Sequence, residues 1–164
     1  MGYYDEIAEG YNELHSEEQN KKLRLIKEKL VNMGIKTTRD TKLLDVGCGT
    51  GISTDFWDCD ATGIDPSKEL LNQNKSQKSK LIQAVAEEIP FADDSFDIIV
   101  SVTAIQNFDD IEKGLQEIKR AGRGCFVLSF LKKSDKADVI KGLIESIFDV
   151  KEAVEEEKDL IIFA

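Results

Sequence analysis

Beyond Lys42 the chain alternates short apolar runs with polar, helix-spaced stretches, and this alternation limits the fold more than any other feature. The runs are KLLDV, ATGID, KLIQAVA, FDIIVSV, GCFVLSFL and DLIIFA, and between them lie TDFWD, SKELLNQNK, DIEKGLQEIKRAG and KADVIKGLIESIF. Strands separated by helices of this length pair in parallel through crossover helices, which predicts a doubly wound α/β sheet in three αβα layers. The last run follows IFDVKEAV after only a short acidic turn. That connection is too short for a crossover helix, so it predicts an antiparallel hairpin at the edge of a mostly parallel seven-stranded sheet.

Before that point the pattern is helical. Leu23, Ile26, Leu30 and Met33 keep a helical spacing and Gly34 supplies a stop, while Ile7, Tyr11 and Leu14 mark a second short amphipathic stretch. With 164 residues, 41% of them hydrophobic, the chain suits one domain with one core. The expected division is N-terminal helices over 1–42 and an α/β core over 43–164.

Charge narrows the partners. There are 22 Lys and Arg against 32 Asp and Glu, a formal charge of −10. Phosphate contacts rest on Lys and Arg, so direct nucleic-acid binding by this chain alone is not expected. No run reaches the roughly 20 apolar residues of a membrane span. The acidic start, MGYYDEIAEG, does not read as a signal peptide, and a cytoplasmic protein is expected. Cys48, Cys59 and Cys125 are odd in number and widely spaced, which argues against a disulfide framework and against a metal site. They read as core or near-core residues.

The chemistry concentrates in LLDVGCGTGIST, residues 43 to 54, where a buried strand meets Gly47, Gly49 and Gly51 and then a helix. Glycines let the backbone turn sharply and let a ligand approach the main chain, and the helix start offers free N–H groups. Asp65 ends the second strand, where an acid can accept hydrogen bonds from both hydroxyls of a ribose. A dinucleotide fingerprint needs a third glycine at position 52, which is Ile52, so the pattern is GxGxG with Asp45 two residues ahead of Gly47.

With DVGCGTG, GIDPS, AEEIPF and FDIIVS in that order, the chain resembles the small, type 11-like class I S-adenosylmethionine-dependent methyltransferases. The resemblance covers residues 40 to 131 and implies a Rossmann-like fold, S-adenosylmethionine as cofactor and S-adenosylhomocysteine as product. It implies that Gly47, Cys48, Gly49 and Gly51 meet the methionine part through their backbone. Asp45 would lie beneath, bonding loop amides or, through water, the cofactor's ammonium, and the N-terminal helices over 1–42 would cover the cofactor site. Asp65 would hold the ribose, Pro66 would pack near the adenine, and Ala86 and Glu87 would close over the ring. Many relatives carry Asp where Val85 stands, which shifts adenine recognition to Glu87 or to backbone groups. Tyr4 or Tyr11 would cap the site.

Ser101 ends the fourth strand, and ligands in open α/β sheets bind at such strand ends. Relatives frequently carry a His pair where Gln106 and Asn107 stand. These two amides are the substrate-side candidates, and they orient a substrate without taking up a proton. His15, the only histidine, reads as structural. Methyl transfer from a sulfonium is an in-line displacement that needs alignment more than a protein nucleophile. The expected acceptor is a small molecule, or a macromolecule presented by an activator subunit; a homo-oligomer also fits. Two other readings are a cofactor-binding regulatory or scaffolding subunit and an NAD-dependent reductase.

Overall fold

The structure, a computed structural model, describes the backbone of residues 3–164 and the side chains of residues 15–164. The chain divides into two compact units, Met1–Lys36 and Thr37–Ala164.

The first unit is one helix, α1 (Tyr3–Asn32), rather than the two stretches that the spacing predicts. The linking residues His15 to Asn20 include no Gly or Pro, so nothing there breaks the ladder. Its stop is built as expected. Gly34 takes φ +82°, its N–H donates to the Val31 carbonyl, and the Ile35 N–H donates to the Leu30 carbonyl. This paired closure satisfies carbonyls that the last turn would otherwise leave open.

The second unit is a seven-stranded sheet of β1 (Lys42–Val46), β2 (Asp60–Asp65), β3 (Lys80–Gln83), β4 (Phe96–Ser101), β5 (Gly122–Leu131), β6 (Glu152–Glu155) and β7 (Asp159–Phe163). Their spatial order is β3-β2-β1-β4-β5-β7-β6. The first five strands pair in parallel, and β7 runs antiparallel to both β5 and β6. The predicted hairpin is present, with its second strand on the inside. In β7, Asp159, Ile161, Ile162 and Phe163 are buried, whereas β6 alternates half-buried and exposed residues. The strand that is apolar on both faces takes the interior place, and the amphipathic one takes the edge.

The connecting helices are α2 (Ile52–Asp55), α3 (Lys68–Asn72), α4 (Ile111–Ala121) and α5 (Ala137–Ile147). The first two are single turns. The longer two bury Leu115, Ile118, Ile140 and Ile144 among Val46, Ile99, Leu128 and Phe130 of the sheet. Ser67 caps α3 by accepting from the Leu70 N–H, and Asp110 caps α4 by accepting from the Lys113 N–H. The chain winds outward from β1 to β3 and then returns to β4 beside β1. The sheet therefore changes direction between β1 and β4, and the crevice at their carboxyl ends is the place where this architecture receives ligands.

Candidate active site

The loop after β1 is held in left-handed turns, with φ +78° at Gly47, +57° at Gly49 and +87° at Gly51. Two of these glycines are enforced by neighbours. A Cβ on Gly47 would lie 2.5 Å from the Ala104 Cβ, and one on Gly51 would lie 2.8 Å from Leu81 Cδ1. At Gly49 a Cβ would meet nothing within 4 Å. The tip of the loop is therefore left-handed and open, so its main chain is accessible to a ligand.

Two acids organise this loop. Asp65, buried at the end of β2, accepts from the Gly49 N–H through Oδ2 (2.9 Å) and from the Ser67 N–H through Oδ1 (2.8 Å). Asp45, 1% exposed, accepts from the Ser53 and Thr54 hydroxyls through Oδ2, while its Oδ1 is covered and has no hydrogen-bond partner. Of the partners that the resemblance implies for Asp45, the Gly49 amide goes to Asp65, and Asp45 takes hydroxyls from α2. The difference follows from reach, because Asp65 ends the neighbouring strand and faces the loop tip. Burial pushes the Asp45 carboxyl up to about 6; the two hydroxyl bonds act against the rise and the charge of Asp65 adds to it. Cys48 is buried within the loop, and burial followed by the charges of Asp45 and Asp65 drives its thiol far above the ordinary range. Its side chain is inert packing.

The remaining expected residues separate. Pro66 is exposed, and its carbonyl accepts from Gln83 Nε2. Ala86 is buried. Glu87 is already engaged, since its Oε2 accepts from the Asp110 N–H (2.8 Å) and ties the β3–β4 loop to the start of α4. Ser101 is fully buried, and its hydroxyl donates to the Val46 carbonyl (2.8 Å), which bridges β4 to β1. The side chains of Tyr4 and Tyr11 lie outside the described residues. His15 is exposed.

Beyond β4 the chain turns through Thr103 into a short 3₁₀ helix, Ile105–Asn107. Ala104 packs on Gly47, so this segment lies directly against the glycine loop. Gln106 donates from Nε2 to the Thr103 carbonyl (2.9 Å), and Asn107 is exposed. Sequence reasoning missed the pair that holds the loop between β3 and β4. Glu117 accepts from the Ile89 N–H, and Arg120 donates to the Ile89 and Phe91 carbonyls, to Asp93 and to Glu117. The available signal was an acid and a base three apart on α4. Among the described residues, no group of three or more His, Cys, Asp or Glu is placed to hold a metal, and no helix is long and apolar enough to cross a membrane.

Against known proteins, residues 44–124 match the family described as a methyltransferase domain. The chain is 30% identical over 163 residues to the uncharacterized protein MJ1252 of Methanocaldococcus jannaschii, covering 97% of this chain and 62% of that protein. It is 30% identical over 133 residues to a demethylmenaquinone methyltransferase of Chlorobaculum parvum, covering 74% of this chain and 55% of that enzyme. A crystal structure of an S-adenosylmethionine-dependent methyltransferase from Aquifex aeolicus superposes with a TM-score of 0.68 at 16% identity, covering 87% of this chain and 96% of that one. Residues 44–124 carry the likeness to the methyltransferase-domain family, and the chain shares the fold of the Aquifex aeolicus S-adenosylmethionine-dependent methyltransferase. It spans 62% and 55% of the two curated relatives named here.

Proposed function

We propose that this chain transfers the methyl group of S-adenosylmethionine to a small acceptor bound beside the loop that follows β4. The open, left-handed Gly49, braced by Asp65 at the point where the sheet changes direction, is the observation that carries this reading. The residues suit the cofactor. The uncovered face of Gly49 leaves room for its methionine part, and the unpartnered Oδ1 of Asp45 is a buried acceptor that suits an ammonium. Each oxygen of Asp65 accepts one loop or turn N–H and keeps a further lone pair for a ribose hydroxyl.

When bound, the cofactor supplies an electrophilic methyl on a sulfonium. The protein's part is positioning. Asp45 and Asp65 hold the two ends of the glycine loop's ligand, and Ala104 against Gly47 sets the acceptor-side loop at a fixed distance from it. Gln106 and Asn107 contribute no titratable base, which suits an acceptor that is already ionised or is a neutral amine. Calorimetry with S-adenosylmethionine, S-adenosylhomocysteine and NAD tests the reading. Saturable binding of the first two and none of the third is expected, and the reverse overturns it.

The same lack of a base favours a second reading, a regulatory subunit that binds the cofactor without catalysis. Transfer of labelled methyl from S-adenosylmethionine to any acceptor by the isolated chain excludes it.

A further inference from the structure

Three loops meet at the end of the sheet opposite the glycine loop. The turn before β1, the segment before β2 and the segment before β3 supply Arg39, Asp58, Cys59 and Lys78, which line an open cleft of about 450 Å³. These three strands run in parallel, so their amino ends share one end of the sheet, and the glycine loop leaves β1 at the other. The cleft therefore lies apart from the crevice at the carboxyl ends. Its volume falls in the range of sites that take small ligands.

The walls are fixed by their own bonds. Thr41 closes the turn that carries Arg39: its N–H donates to the Thr38 carbonyl (3.1 Å), its Oγ1 accepts from the Thr38 N–H (2.9 Å), and its carbonyl accepts from the Asp60 N–H (3.0 Å). Lys78 Nζ donates to the Asp55 carbonyl (2.7 Å) and to Asp58 Oδ1 (3.2 Å), which ties the segments before β2 and β3 together. Cys59 is half-buried. Burial, followed by the charges of Asp60 and Asp58, pushes its thiol up to about 11, so it forms a neutral wall.

The donors and acceptors of the cleft do not balance. Asp58, the one carboxylate of the lining, already accepts from Lys78. Lys78 keeps one N–H of its three. Arg39 is exposed and makes no hydrogen bond or ion pair to a described residue, so the five N–H groups of its fork are unspent. What remains unused is cationic and donating. A guanidinium fork matches two oxygens of a carboxylate or phosphate and holds them by a pair of parallel bonds. A metal cation, by contrast, would have to displace Lys78 from Asp58.

We propose that this cleft is a second ligand site, which takes a small oxyanion between the Arg39 guanidinium and the remaining N–H of Lys78. The inference is independent of the methyl-transfer reading, because no residue of the cleft belongs to the glycine loop or to its acids.

The test titrates the whole chain, at constant ionic strength, with succinate, inorganic phosphate and succinamide, the neutral counterpart of succinate, and follows backbone amides by NMR. Succinate or phosphate is expected to shift the Arg39, Asp40, Cys59 and Lys78 amides saturably, with a dissociation constant on the order of 1 mM, as suits a charge pair open to water. Succinamide should give no saturable shift. Tighter succinate marks the ligand as an organic acid and tighter phosphate marks it as a phosphate; either upholds the site. Arg39→Gln should weaken the better anion about fivefold, and Arg39→Lys, which keeps the charge and loses the fork, should fall between. Arg123→Gln removes a guanidinium at the amino end of β5 that is already bonded to Asp97, and it should leave the affinity unchanged. Because Arg39 bonds to no described residue, its replacement removes no support of the fold. The absence of a saturable shift up to tens of millimolar, an equal response to succinamide, or an affinity that survives Arg39→Gln overturns the proposal.

Discussion

At the scale of single residues, Asp45 couples the site to pH. Its carboxyl titrates near 6 in the folded protein against 3.8 for the ordinary group. A raised acid contributes its stability fully below about pH 4, loses it as pH rises through 6 and contributes none above. A gap of that size corresponds to about 3 kcal/mol. Asp45→Asn is expected to flatten the fall in stability between pH 4 and pH 6, read by denaturant unfolding at a series of pH values. Parallel curves for the two proteins would refute the assignment. The glycines make a second prediction. Gly49→Ala should cost about 1–2 kcal/mol for the left-handed backbone alone. Gly51→Ala should cost more, because its Cβ also meets Leu81. Comparing their denaturation midpoints decides. Asp65→Ala should weaken S-adenosylmethionine binding by about 1–3 kcal/mol, the cost of unpaired hydrogen-bond partners; unchanged affinity by calorimetry would remove Asp65 from the ribose.

At the scale of elements, the loop between β3 and β4 depends on α4. Arg120 holds two of its carbonyls and Glu117 holds one of its amides. Arg120→Ala is expected to release residues 89–93 first, with faster hydrogen exchange at the Ile89 amide while the β1 and β4 amides stay protected. The element pattern was legible because alternating apolar runs and helix-spaced stretches obey simple periods, and Gly34 ended α1 as its chemistry requires. The single turns of α2 and α3 were not legible. Their sequences are helix-compatible, and only the tertiary demands of the glycine loop and of Asn74, which bonds Thr50 and Asp55, cut them short. The bond from the Ser101 hydroxyl to the Val46 carbonyl was equally invisible, because period-two alternation says which face a strand residue takes but not which carbonyl its hydroxyl finds. The glycine turn and the positions of both acids, by contrast, were readable from spacing, though not which groups each acid bonds.

At the scale of the whole molecule, the formal charge of −10 and the Thr103–Asp159 bond act together. The charge disfavours polyanions at the surface of the chain. The bond sets an order of assembly. Thr103 and Asp159 are 56 positions apart, so the glycine loop, β1, β2 and β4 are all synthesised well before the residue that fixes the turn after β4. At ribosomal rates the gap is roughly several seconds. For that interval a nascent chain holds β1, β2 and β4 without the carboxylate that anchors the Thr103 turn.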